Sequence, residues 1–122
     1  MIIRDNLEQV QHKIRQAARR SGRDESSIQL LGVTKYASDE EVQELFDAGL
    51  GVFGENRIQD ATKRIERFPD AKWHFIGSLQ TNKVRFCEPF DLIHSLDRWS
   101  LATALNARAE QWGKLQGVLI QV

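Results

Sequence analysis

At 122 residues the chain holds one domain at most, and its 17 acidic residues balance 17 basic ones, so no net field favours nucleic acid or an anionic membrane. An apolar fraction of 41% argues against intrinsic disorder, and no apolar run approaches the ~20 residues that a membrane span requires. The single cysteine, Cys87, can form no internal disulfide, and the opening Met1-Ile2-Ile3-Arg4-Asp5 lacks the apolar core of a secretory signal, so a reducing, cytoplasmic setting is expected.

Residues 5–21 read as a helix. Asp5 and Glu8 form a capping box, Leu7, Val10, Ile14 and Ala17 make one apolar stripe, and Gly22 is placed as a left-handed stop. Arg15, Arg19, Arg20 and Arg23 fit the solvated face and carboxyl end of that helix better than a nucleic-acid contact. Leu30-Leu31-Gly32-Val33-Thr34-Lys35 is an apolar run that stops on a lysine, the pattern of a buried parallel strand. Ser38 and Glu41 make a second capping box, opening a helix through Val42, Leu45 and Phe46 to Gly49. The spacing then predicts a strand over 50–54, a helix over 55–68 stopped by Pro69, and a strand over 73–77. A short helix or irregular turn over 80–86, a strand over 92–96, a helix over 97–113 and a strand from 117 to 122 complete the chain.

A helix, four βα units and a final strand imply right-handed crossovers and a parallel sheet covered by helices. Five strands suit a small doubly wound sheet or the first part of a (β/α)8 barrel, which typically takes about 250 residues. A chain ending on an apolar strand leaves a raw edge, so a fragment of a longer protein is expected.

Reactive groups collect at the carboxyl ends of parallel strands. Three segments share that layout here: Val33-Thr34-Lys35, Phe53-Gly54-Glu55-Asn56 and Ile93-His94-Ser95-Leu96-Asp97. A fourth, Trp73-His74-Phe75-Ile76-Gly77-Ser78-Leu79-Gln80, has a glycine and a hydroxyl where its strand ends. Around one barrel mouth such ends would make a polar pocket for a small ligand. Lys35 is the reactive candidate: an amine held against apolar neighbours loses solvation of its charged form and can bond an aldehyde as a Schiff base. Each residue also has a structural reading. Lys35 can be a surface lysine marking a strand end, and Asn56 and Asp97 can be helix caps. His74 can be a satisfied wall residue, Gly54 and Gly77 can let backbone pass closely, and Cys87 can be packing. The tryptophans Trp73, Trp99 and Trp112 read as core or rim. There is no Walker loop, no G-x-G-x-x-G and no metal-ligand spacing.

Taken together, Leu-Gly-Val-Thr-Lys, Phe-Gly-Glu-Asn-Arg-Ile-Gln-Asp, Trp-His-Phe-Ile-Gly-Ser-Leu-Gln-Thr-Asn-Lys and Ile-His-Ser-Leu-Asp resemble the pyridoxal 5′-phosphate homeostasis proteins, from the first helix to the last residue. The resemblance implies an alanine-racemase-like, fold type III barrel without the racemases' second domain. Of that α/β, parallel (β/α)8 TIM-type barrel the chain would supply the amino-terminal helix and roughly strands 1–5, as one truncated domain over residues 1–122. It also implies pyridoxal 5′-phosphate as cofactor, carried on Lys35 as an internal aldimine, with Asn56, His74 and Ser95 at the cofactor. The segment from Gln80 to Lys83 matches the family motif without an assigned mechanism. The family binds, buffers or delivers the cofactor without robust catalysis, so pyridoxal-phosphate-dependent apo-enzymes are the expected partners. Nucleic acid and membrane are not expected, and the chain would be a monomer or weak dimer. Family chains are nearly twice as long, and barrels commonly hold phosphate in the loops after strands seven and eight. The fragment alone is therefore expected to hold the cofactor poorly. A pyridoxal-phosphate-dependent racemase is the rival function, requiring acid–base groups on both faces of the substrate. A cofactor-free binding module is the third.

Overall fold

A computed structural model describes residues 2–122. Helix α1 spans Ile2–Ser21, starting ahead of the expected capping box, so Asp5 lies within the first turn. There its charge complements the dipole, and its side chain makes no capping hydrogen bond among the described residues. Leu7 and Ala18 are the buried positions, Ala17 is exposed, and Val10 is 43% exposed. Steps of four, three and four residues run from Leu7 through Gln11 and Ile14 to Ala18, and this narrow line, not the predicted stripe, faces inward. The helix packs mainly against α2 (Asp39–Asp47) and a 3-10 turn over Glu25–Ser27, which leaves most of it solvated. Gly22 ends α1 at φ +71°, with the Arg23 N–H donating to the Ala18 carbonyl at 2.9 Å, a left-handed stop as the sequence indicates. The second capping box also forms: the Ser38 hydroxyl accepts from the Glu41 N–H at 3.1 Å, and the Glu41 carboxylate accepts from the Ser38 N–H at 2.9 Å.

The remaining elements are β1 (Gly32–Val33), β2 (Val52–Glu55), α3 (Ile58–Arg67), β3 (Lys72–Phe75), a 3-10 helix over Thr81–Phe86, β4 (Leu92–Leu96), α4 (Trp99–Trp112) and β5 (Gly117–Ile120). The five strands pair in parallel in the steady order β1-β2-β3-β4-β5. A doubly wound sheet reverses its order partway across; a (β/α)8 barrel advances around one direction. The α/β sheet thus follows barrel order through five consecutive strands.

One face of the sheet is the core. Phe53, Trp73, Phe75 and Ile93 follow one another across neighbouring strands in register and are all 1% exposed or less. Phe53 and Trp73 pack with ring centroids 5.3 Å apart, and Phe75 packs on Phe90 at 5.4 Å. Trp73 directs its indole N–H to the Phe68 carbonyl at 3.1 Å, satisfying the one polar atom it takes inside. Val42, Ala61, Val84, Leu101 and Leu105 close this face. Cys87 is fully buried among them, and burial pushes its thiol up to about 12, so it packs as a small apolar group. Trp99, in contrast, is 84% exposed at the rim.

The opposite face is more open. Val33 is 52% exposed and Leu119 47% exposed, so β1 is not the doubly buried strand that its apolar run predicts. Only two of the run's residues enter the ladder, because the chain turns immediately after Thr34.

Candidate functional site

Strand ends bring the candidates to the carboxyl edge of the sheet. Val33 of β1 is level with Gly54 of β2, which in turn is level with His74 of β3. Lys35 follows β1 in a four-residue turn closed by the Ala37 N–H, which donates to the Thr34 carbonyl at 3.0 Å. Asn56 follows β2. Lys35 and Asn56 therefore leave adjacent strands at the same edge.

Lys35 is exposed, which corrects the expectation of an amine pressed against apolar neighbours. The turn lifts it beyond the sheet, and Val33, the nearest apolar residue on its own strand, is itself half exposed. Its Nζ has no hydrogen bond or ion pair among the described residues, so no carboxylate holds it. Its turn neighbour Tyr36 adopts φ +67° with its side chain 99% exposed, an uncommon conformation for a bulky residue.

Asn56 does not cap α3. The cap position is Arg57, which makes no side-chain cap bond, and the Asn56 side chain is half-buried and unengaged among the described residues. Its backbone is held by Gly77: a Cβ there would fall 2.3 Å from the Asn56 carbonyl oxygen. Asn56 lines a cleft of about 300 Å³ with Arg57, Ser78, Gln80 and Lys83. This gives the Gln80–Lys83 stretch a place beside the strand ends. Asp97 likewise precedes the cap Arg98 and pairs with its guanidinium at 2.7 Å.

His74 lies within β3 and is 6% exposed, its Nδ1 3.0 Å from Nε2 of His94 on β4. Burial, and then the neighbouring His94, hold the His74 imidazole below its ordinary value, so the neutral ring is favoured. With one ring donating and the other accepting, the pair ties β3 to β4 on the open face. Ser95 sits differently. Ile93 and Ser95 are buried while Leu92, His94 and Leu96 are only partly so, a two-residue alternation that places Ser95 on the covered side. Its Oγ has no hydrogen-bond partner among the described residues. The structure thus brings Lys35 and Asn56 to one edge, sets His74 below them on the open face, and puts Ser95 on the other face.

Two residues escape the sequence reading. Glu55, assigned there to a helix start, is the last residue of β2 and is 2% exposed. Its Oε1 accepts from the Thr34 hydroxyl, itself 1% exposed. Burial raises the Glu55 carboxyl above its ordinary value, against the opposing pull of that hydrogen bond and of Arg64. Period-two spacing from Phe53 could have flagged Glu55 as sharing the core face. His94 escapes for a plainer reason, since nothing local shows which neighbour it meets. No group of three or more His, Cys, Asp or Glu among the described residues is arranged to hold a metal ion, and no helix among them is long and apolar enough to cross a membrane.

No protein-family model matches the chain. Curated relatives do. The chain is 43% identical over 121 residues to the pyridoxal phosphate homeostasis protein of Aquifex aeolicus, covering 97% of this chain and 53% of that protein. It is 41% identical over 126 residues to the protein of the same name from Escherichia coli K12, covering 98% and 54%. Among solved structures, PipY of Synechococcus elongatus PCC7942 with PLP bound matches at a TM-score of 0.75 and 39% identity, covering 88% of this chain and 52% of that one. An unknown protein from Bifidobacterium adolescentis matches at 0.83 and 32% identity, covering 96% and 53%. The chain is thus homologous to pyridoxal phosphate homeostasis proteins along nearly its whole length, and spans about half the length of the curated relatives it matches.

Proposed function

We propose, from this kinship and from the free amine at the end of β1, that the chain is the lysine-bearing part of a cytoplasmic protein that holds pyridoxal 5′-phosphate and serves vitamin B6 homeostasis. The observation that carries the reading is the position of Lys35. It is exposed at the carboxyl edge of a barrel-ordered parallel sheet, with its Nζ unpaired among the described residues and Asn56 leaving the next strand beside it. The residues present fit the cofactor: an unpaired lysine for its aldehyde, an unengaged amide on the residue that follows the neighbouring strand, and an open sheet face below.

When bound, pyridoxal phosphate supplies an aldehyde that an unprotonated amine can attack and a ring that withdraws electrons. Lys35 condenses with that aldehyde with loss of water and anchors the cofactor. The Asn56 amide, able to donate and to accept, orients it. His74, favoured neutral, faces the same open side without placing a positive charge there. Phosphate contacts belong to loops after later strands, as barrels commonly arrange them. Apo-enzymes that use the cofactor are the partners that would receive it.

Exposure of Lys35 makes the hold on the cofactor weak in this chain alone. Titration with pyridoxal phosphate should change the visible absorption, and dialysis should reverse the change. Uptake that survives prolonged dialysis would contradict the weak hold, and no uptake by the full-length protein would overturn the reading.

A further inference from the structure

The turn that carries Lys35 is gripped at both ends by side chains of the next βα unit. At its start, the Thr34 N–H donates to the Gly54 carbonyl at 3.2 Å. The Thr34 hydroxyl lies 3.1 Å from that same carbonyl and also reaches Glu55 Oε1. At its end, the Ala37 carbonyl accepts from Arg64 Nη2 of α3. Arg64 is itself steered by Asp39, the first residue of α2, whose carboxylate lies 3.1 Å from Arg64 Nε and 2.7 Å from Arg67 Nη1. Between these grips sit only Lys35 and Tyr36, the latter at φ +67°. Nothing buried is gained by that conformation, since the Tyr36 ring is 99% exposed. An unfavourable backbone persists only where its surroundings over-determine it.

A buried carboxyl and a half-buried guanidinium are costly unless they secure something. Neither pairs with the other here: Glu55 meets Thr34, and the Arg64 side chain, 16% exposed, meets Ala37 and Asp39. We infer that Glu55 and Arg64 are positioning residues for Lys35, clamping the Thr34–Ala37 turn so that the amine is presented at the sheet edge in one direction. The inference rests on the reading of Lys35 as the attachment point. A freely moving turn would lose the backbone direction from which the lysine reaches an aldehyde.

The test compares Thr34→Val, Glu55→Leu, Arg64→Met and Glu55→Gln with the wild type, in the full-length protein, well below the thermal midpoint of each variant. Two quantities are read: the rate of borohydride-trappable attachment of pyridoxal phosphate at Lys35, and hydrogen exchange at the Thr34 and Ala37 amides without cofactor. Thr34→Val, Glu55→Leu and Arg64→Met should slow attachment roughly 10- to 100-fold, the scale of loss when a reacting group is displaced by about an ångström. The same three should speed exchange at the turn amides. Glu55→Gln, which keeps an acceptor for the Thr34 hydroxyl, should restore both readings to within about twofold of wild type. Thr34→Val and Glu55→Leu combined should be no worse than Thr34→Val alone, which already removes the hydroxyl's contacts with both Glu55 and the Gly54 carbonyl. Folded variants that attach cofactor at the wild-type rate with unchanged amide exchange would overturn the clamp. Absence of attachment in the wild type would overturn the Lys35 reading instead, while the exchange measurements would still decide whether the clamp exists.

Discussion

A side chain at Gly77 cannot be accommodated without moving Asn56, because the added Cβ would stand 2.3 Å from its carbonyl oxygen and 2.9 Å from its Cα. Backbone, unlike a flexible side-chain tip, cannot step aside cheaply. Gly77→Ala is therefore expected to shift the Asn56 amide resonances strongly and to destabilise the fold by roughly 1–3 kcal/mol, the usual cost of overpacking. Unchanged Asn56 shifts would show that the loop has slack. Tyr36 presents the reverse case. Its positive φ is uncomfortable for a bulky residue, and its exposed ring contributes no packing. Tyr36→Asn should leave the thermal midpoint unchanged or raise it, since asparagine tolerates the left-handed region; a clear fall would mean that the ring makes a contact of its own.

Strands and helices were legible here where a signal was local and repeated. The Ser38–Glu41 box and the Gly22 stop follow from neighbouring residues alone. Element ends were not. Glu55 reads as a helix former but finishes β2, because Phe53 fixes the register and carries Glu55 onto the core face two residues later. What Glu55 and His74 meet depends on strand pairing across about twenty residues, which no window of sequence contains. Their burial has opposite consequences for pH. The Glu55 carboxyl titrates above its ordinary 4.5 in the fold, so its contribution to stability is complete below that pH and declines as pH rises through the folded value. His74 titrates below its ordinary 6.5, so its contribution is complete above that pH and is lost as pH falls. Denaturant melts across pH 4 to 8, a range of about four units around these ordinary values, should show Glu55→Gln losing the first dependence and His74→Asn the second. Parallel curves for wild type and variant would contradict the corresponding assignment.

For the molecule as a whole, the covered face carries the stability, and the proposed attachment point sits apart from it at the strand edge. Trp73→Ala or Phe75→Ala removes a ring from the middle of the core and should cost about 3–5 kcal/mol in a denaturant titration. Lys35→Ala, at an exposed position, should change stability by no more than about 0.5 kcal/mol. That separation makes the decisive experiment clean. The full-length protein is mixed with pyridoxal phosphate, reduced with borohydride, digested and mapped by mass spectrometry, alongside Lys35→Ala. A cofactor mass on the peptide containing Lys35, and its disappearance in the folded variant, is the predicted result; label spread over other lysines, or uptake that Lys35→Ala leaves intact, would contradict the account.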